Sequence, residues 1–137
     1  MSAQDVDTVR AAYEEFARYD AAAVLAKLDA SVEWVEGGGG DSPSGTFIGP
    51  DAVAGGVFAV IGANFDEYHV DPSEYIDQGS RVVVKGHFSG KNRGGAELDT
   101  GFEHVFDMRD GKVLASRTSP TTRRRGSRAG PADSARR

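Results

Sequence analysis

Residues 102–113 read FEHVFDMRDGKV. A stretch of alternating apolar and polar side chains is followed by Asp110-Gly111 and by the start of a second apolar stretch. Asp-Gly between two such stretches is a strong signal for a β-hairpin, because both turn residues must tolerate positive φ. The segment therefore predicts two antiparallel strands joined by a tight turn.

Helical spacing dominates the chain ahead of this hairpin, and strands dominate around it. Val6, Val9, Tyr13 and Phe16 recur every three or four residues, as on one face of a helix. The predicted helices cover residues 5–18, about 21–28 and a segment opened by 49–51. The predicted strands cover residues 31–36, 46–48, 67–76, 81–90, 96–109 and 112–118. Helices followed by an antiparallel meander are typical of an α+β fold.

Composition excludes several classes of site. The 137 residues contain no Cys, so the chain has no disulfide, no thiol nucleophile and no cysteine zinc site. Its three His are isolated from one another in sequence, and no metal site or cofactor is expected. No apolar run approaches the roughly 20 residues of a membrane helix, and the acidic N-terminus lacks a signal-peptide pattern. We therefore expect a cytoplasmic protein with no membrane partner.

Charge divides the chain into two parts. Residues 1–116 carry nine Lys and Arg against twenty Asp and Glu, whereas residues 117–137 carry seven Arg and one Asp. The acidic body disfavours nucleic acid as a partner, and only the tail has the sign for one. The tail composition predicts disorder. Alternatively, GC-rich codons read one nucleotide out of register would give Tyr-Val-Ala-Asp-Asp-Ala-Ala here, so the tail would follow a frameshift.

Several segments, in this order, resemble the SnoaL-like branch of the nuclear-transport-factor-like, ketosteroid-isomerase-like superfamily. They are residues 9–20, 25–34, 45–53 (GTFIGPDAV), 77–84 (DQGSRVVV) and 102–113. The resemblance covers about residues 6–116 and implies one domain over 1–116. It implies a curved antiparallel β-sheet wrapped around three N-terminal helices, forming a cone with an internal pocket. It also implies a homodimer through the outer face of the sheet.

The resemblance gives three candidate catalytic residues: Glu103, Tyr13 and His104. Glu103 falls where ketosteroid isomerase has its oxyanion-hole aspartic acid, and an apolar site would keep such an acid protonated as a hydrogen-bond donor. The alternative places Glu103 on the solvated or dimer face, since Phe102, His104 and Phe106 form the more apolar face. Tyr13 would be a second donor or a core aromatic, and His104 a general base or a core histidine. His69 and His87 are predicted to be structural.

The substrate pocket is predicted to have aromatic walls formed by Trp34, Phe47, Phe58 and Phe88. Trp34 falls near the general-base aspartate of the isomerase, so that mechanism would lack its base. Val32, Trp34 and Glu36 share one strand face, and Glu36 or Glu33 would replace the base only with shifted geometry. This departure argues against a steroid isomerase.

Two functions of different classes remain open. The first is a cofactor-independent enzyme of the SnoaL-like type, which isomerises, cyclises or dehydrates an apolar carbonyl compound by acid–base chemistry. The second is a non-catalytic ligand-binding or scaffold dimer of the same fold. A carboxyl group that faces an apolar pocket beside another titratable group favours the first.

Overall fold

A computed structural model of the chain describes residues 2–38 and 40–120. Its helices are α1 (Ser2–Ala17), α2 (Ala21–Leu25), α3 (Pro50–Val53) and α4 (Ala59–Asn64). A π-helical turn, Ala54–Phe58, joins α3 to α4, so the third predicted helix is a continuous segment with a widened middle turn. Helix α2 ends sooner than predicted because Leu28 already begins a strand. No helix in the described part of the chain is long and apolar enough to cross a membrane.

Six strands form one curved, unclosed sheet. They are β1 (Leu28–Gly37), β2 (Ser44–Ile48), β3 (Phe65–Gln78), β4 (Arg81–Asn92), β5 (Glu97–Arg109) and β6 (Lys112–Pro120). Their spatial order is β2-β1-β6-β5-β4-β3. The predicted α+β fold is confirmed, with one correction: β1 and β6 run parallel, whereas every other neighbouring pair is antiparallel.

The hairpin predicted from residues 102–113 is present between β5 and β6. Asp110 and Gly111 have φ values of 53° and 77°, as a tight turn between twisted strands requires. Strand β6 then continues to Pro120, so the domain boundary expected at residue 116 falls inside a strand. The rest of the predicted basic tail, 121–137, lies outside the described residues.

The core lies between the helices and the inner face of the sheet. Val9 of α1, Val32 of β1, Val82 and Val84 of β4 and Phe102 of β5 are almost completely buried there. Burial of such side chains is the main favourable contribution to folding, at roughly 1.5–3 kcal/mol each. This packing fixes which face of every strand is internal.

Close packing accounts for one of the two glycines in the π-helical turn. A Cβ at Gly56 would overlap the ring of Phe47, whereas a Cβ at Gly55 would meet nothing within 4 Å. Gly56 therefore lets the turn approach β2 closely. The same contact fixes the position of Phe47.

Candidate functional site

A cavity of about 80 Å³ opens between the helices and the inner face of the sheet. Its walls are mostly aliphatic and aromatic side chains, with Phe16, Phe58, Phe88 and Phe106 among them. The described lining residues with polar atoms in their side chains are Tyr13, Trp34, Glu36, Tyr68 and His104. An apolar cavity with a few convergent polar groups is typical of a small-molecule site.

The register of the sheet brings polar side chains into one row. Thr118 of β6 lies opposite Glu36 of β1 on one side and opposite His104 of β5 on the other. Directly paired residues point to the same face of a sheet, so all three side chains project inward. In the adjacent row, Ser116 lies between Trp34 and Phe106 in the same way. The parallel pairing of β1 with β6 is what creates this row.

Glu36 is the carboxylate of the cavity. The indole N–H of Trp34 donates a hydrogen bond of 2.6 Å to Glu36 Oε2. Burial raises the pKa of Glu36 to about 7, although the Trp34 N–H and the Thr118 hydroxyl oppose this by favouring the ionised form. The buried Thr118 hydroxyl makes no hydrogen bond of standard geometry within residues 2–38 and 40–120. Glu36 can therefore both accept and release a proton near neutral pH.

Tyr13 and His104 form a hydrogen-bonded pair across the cavity wall. The Tyr13 hydroxyl contacts His104 Nδ1, and the two rings stack with centroids 5.7 Å apart. Burial lowers the pKa of His104 to about 3, so its imidazole is neutral. Burial, then Tyr75 and Glu36, raise the pKa of Tyr13 well above its usual value, so its phenol stays protonated.

A neutral pair of this kind keeps one hydrogen-bond donor for a ligand. If Tyr13 donates to Nδ1, the imidazole carries its proton on Nε2; if Nδ1–H donates to the phenol oxygen, the phenol O–H stays free. Tyr68 supplies another phenol on the lining, and its pKa is raised by burial and by the charge of Glu36. The cavity thus combines one carboxylate with neutral donors.

Glu103 does not lie where the pocket assignment requires. Its neighbours Phe102 and His104 point inward, and successive residues of an unbulged strand point to opposite faces. Glu103 therefore lies on the outer face, opposite Lys85 of β4, and the expected pocket position is corrected. The alternative position for this residue, the solvated or dimer face, agrees with the structure.

The other predicted site residues divide into two groups. Tyr13, His104, Trp34, Phe58 and Phe88 line the cavity. Phe47 is not part of the described lining, and its ring packs against Gly56 of the helical turn.

The remaining histidines lie away from the cavity. His87 contacts Asp99 and His69 lies near Glu67, and both imidazoles are about half exposed. Within the described ranges, no three His, Asp or Glu side chains form a group that would hold a metal ion.

Sequence reasoning gave Glu36 only as a replacement base with shifted geometry, and it missed Thr118. The signal for Glu36 was present, since Val32, Trp34 and Glu36 alternate on one strand face and place an acid in line with apolar residues. No comparable signal pointed to Thr118 as a site residue, since it lies at the end of the predicted strand 112–118 and within the predicted tail. Its importance depends on strand pairing between residues far apart in sequence.

Comparison with known proteins adds a family match and several similar structures. Residues 9–116 match the sequence profile of the SnoaL-like domain. No curated protein matches the chain. An NTF2-like protein of unknown function from Burkholderia pseudomallei is 30% identical, with a TM-score of 0.80 over 88% of this chain and 92% of that chain.

Two further structures have similar scores. TerC, co-crystallised with polyporic acid, is 28% identical, with a TM-score of 0.77 over 85% of this chain and 91% of that chain. An NTF2-like protein from Burkholderia thailandensis is 26% identical, with a TM-score of 0.78 over 85% of this chain and 89% of that chain. The similarity in each case spans most of both chains.

Proposed function

The chain belongs to the SnoaL-like domain family, and from that premise we propose that it is an enzyme in which Glu36 moves a proton of an apolar carbonyl compound. The observation that carries the proposal is the position of Glu36, a carboxylate with a pKa near 7 in an apolar cavity. A general base works best when its pKa lies near the operating pH.

The proposed step is abstraction of a proton from the carbon next to the carbonyl. Glu36 takes the proton, the C–H electron pair moves into the new C–C double bond, and the carbonyl π electrons move to oxygen. The donor left free by Tyr13 and His104 would hydrogen-bond that enolate oxygen. In a β,γ-unsaturated ketone this enolate is a dienolate: the oxygen electrons re-form the carbonyl, the double bond moves into conjugation, and Glu36 would return the proton to the γ-carbon, which completes an isomerisation without any cofactor. Tyr68 is a second candidate donor.

The surroundings of Glu36 support this role. Phe16, Phe58 and Phe88 give the cavity an apolar wall, which suits an apolar substrate and strengthens hydrogen bonds to a developing charge. TerC, which is 28% identical to this chain, was co-crystallised with polyporic acid. That complex supports a small organic ligand for this cavity as well. We further propose, from the resemblance, a cytoplasmic homodimer in which the outer sheet face is covered.

Hydrogen–deuterium exchange tests the proton abstraction by itself, apart from the rest of the reaction. A panel of cyclic and aryl ketones is incubated in D₂O with the protein, and loss of the α-proton signal is followed by NMR. We expect the wild type to accelerate exchange of at least one ketone. Glu36→Gln should reduce that rate by about 10²–10⁴, the usual contribution of a general base.

Glu103→Gln is the matched control, because it makes the same substitution on the outer face of β5, away from the cavity. It should leave the exchange rate unchanged. Equal rates in the wild type and Glu36→Gln would contradict the proposal. Ketone binding with no accelerated exchange would favour the non-catalytic ligand-binding alternative.

A further inference from the structure

The aromatic residues of the cavity form a continuous wall. Ring centroids lie 6.3 Å apart for Trp34 and Phe58, 5.7 Å for Phe58 and Phe16, 6.2 Å for Phe16 and Tyr68, and 5.8 Å for Tyr68 and Phe88. All five residues line the cavity. A cation within about 6 Å of such rings is attracted by their electron-rich faces.

Glu36 lies in the same cavity lining as this aromatic wall, and its ionised carboxylate places a negative charge beside the rings. The polar groups near it are Trp34 of β1, Thr118 of β6, His104 of β5, Tyr13 of α1 and Tyr68 of β3. The cavity lining from α2, the π-helical turn, α4 and β4 is apolar: Val24, Val57, Phe58, Ile61 and Phe88. None of these carries a positive charge, since burial keeps His104 neutral. Among the residues that the structure describes, no Lys or Arg forms an ion pair with Glu36.

In such surroundings the cost of burying the ionised Glu36 carboxylate is only partly offset by its neighbours. Burying a charge is costly unless an opposite charge or several hydrogen bonds accompany it, and one indole N–H is a small compensation. A ligand with a positive charge would supply what the protein does not. A ligand whose charge is surrounded by methyl or methylene groups would also suit the aromatic wall, because it loses little hydration on entry.

We propose that the cavity binds a small alkylammonium ion, with its positive nitrogen between the Glu36 carboxylate and the aromatic wall. The inference goes beyond the proposed reaction. It shares with that reaction the assignment of Glu36 as the charged group of the cavity, but it needs no turnover. Such an ion would occupy the space of the carbonyl compound and compete with it.

The charge of Glu36 sets the pH dependence of this binding. The ionised carboxylate attracts the cation, whereas the protonated acid does not. Affinity for the cation should therefore rise as pH increases through about 7, the pKa of Glu36. A neutral ligand of the same shape should not gain affinity over that interval.

Choline and 3,3-dimethylbutan-1-ol make a decisive pair of probes, because they share a shape and differ by the positive nitrogen. Each is titrated into the full chain at pH 8.5 and at pH 5.5, with binding followed by calorimetry or NMR. We expect choline to bind about tenfold more tightly than the alcohol at pH 8.5, and about equally at pH 5.5. Equal affinities at pH 8.5, or no binding of either probe, would overturn the inference.

Variants separate the two parts of the site. Glu36→Gln should abolish the preference for choline and leave binding of the alcohol in place. Phe58→Leu keeps an apolar side chain but removes a ring, so it should weaken the binding of choline more than the binding of the alcohol. Glu103→Gln should change neither affinity. A choline preference that survives in folded Glu36→Gln would refute the assignment, and if that variant does not fold, Phe58→Leu and the pH comparison decide.

The two proposals fail in distinguishable ways. Ketone exchange that depends on Glu36, without any preference for choline, would leave the proposed reaction standing and remove the cation site. A choline preference that depends on Glu36, without ketone exchange, would support the cation site and remove the proposed reaction. The binding assay and the exchange assay therefore report on separate claims about one carboxylate.

Discussion

Glu36 and His104 face the same cavity from strands β1 and β5, which are not neighbours in the sheet, and residue 118 of β6 lies between them. The row exists because β6 pairs with one strand in parallel and with the other antiparallel. Its consequence is a carboxylate with a pKa near 7 on the same inner face as a neutral imidazole.

Replacing Thr118 with Val should raise the pKa of Glu36. The Thr118 hydroxyl favours the ionised carboxylate, and Val has nearly the same shape without that dipole. We expect an upward shift of roughly 0.5 unit, equivalent to less than about 1 kcal/mol. The ¹³C chemical shift of the Glu36 carboxyl carbon, followed against pH, measures this directly. Thr118→Ser keeps a hydroxyl, so Glu36 in that variant should titrate as in the wild type. An unshifted Glu36 titration curve in Thr118→Val would show that the hydroxyl does not act on Glu36.

The order of helices and strands could be predicted because it depends on local patterns. Asp110-Gly111 encodes a tight turn, and Pro50 marks the first turn of a helix. The parallel pairing of β1 with β6 could not be predicted in this way, since it joins residues more than 80 positions apart. For the same reason the sequence did not reveal that Thr118, the last residue of the predicted strand 112–118, faces the cavity.

The candidate site shows how far strand alternation can be used. In β5, the more apolar face holds Phe102, His104 and Phe106, and this correctly indicates an inward His104 and an outward Glu103. The same rule applied to β1 selects the face of Trp34 and Glu36. Resemblance to an isomerase supported the assignment to Glu103, whereas Glu36 was considered only as a replacement base with shifted geometry.

The raised pKa of Glu36 makes stability depend on pH. A carboxyl group with a higher pKa in the folded state than in the unfolded state lowers stability as pH rises, because the unfolded chain then loses its proton more easily. For Glu36 the window runs from the ordinary value of 4.5 to about 7. Across it the wild type should lose stability relative to Glu36→Gln, by a difference on the order of 3 kcal/mol.

Urea denaturation at pH 4.5 and pH 8 checks this expectation. The stability gap between Glu36→Gln and the wild type should be larger at pH 8, and Glu103→Gln corrects for the general loss of one glutamate on the outer face. A gap that stays constant or shrinks with rising pH would mean that the carboxylate is better solvated than its burial indicates.

Removing the Tyr13 hydroxyl should reduce both stability and activity. In Tyr13→Phe the buried His104 Nδ1 loses its partner, and an unpaired buried polar atom costs about 1–3 kcal/mol. Loss of the phenol, either as the donor itself or as the group that fixes the His104 tautomer, should also slow ketone exchange by about 10²-fold. Thermal unfolding and the exchange assay measure the two effects. Tyr19→Phe is the matched control because Tyr19 is 89% exposed, and it should change neither; a Tyr13→Phe protein as stable and active as that control would exclude the pair from the site.

The two glycines of the π-helical turn should respond in opposite ways to the same substitution. Gly55→Ala adds a methyl group to open space and should stabilise the protein by up to about 1 kcal/mol, since Ala has the higher helix propensity. Gly56→Ala drives the same methyl group into the ring of Phe47 and should destabilise the protein by about 1–3 kcal/mol. Because Phe58 is the last residue of this turn and lines the cavity, Gly56→Ala should also weaken ligand binding, whereas Gly55→Ala should not. Urea denaturation of the two variants measures the difference, and the double variant Gly56→Ala with Phe47→Leu should recover part of the lost stability. If both single variants shift stability in the same direction, the contact between the turn and β2 is not what requires glycine at position 56.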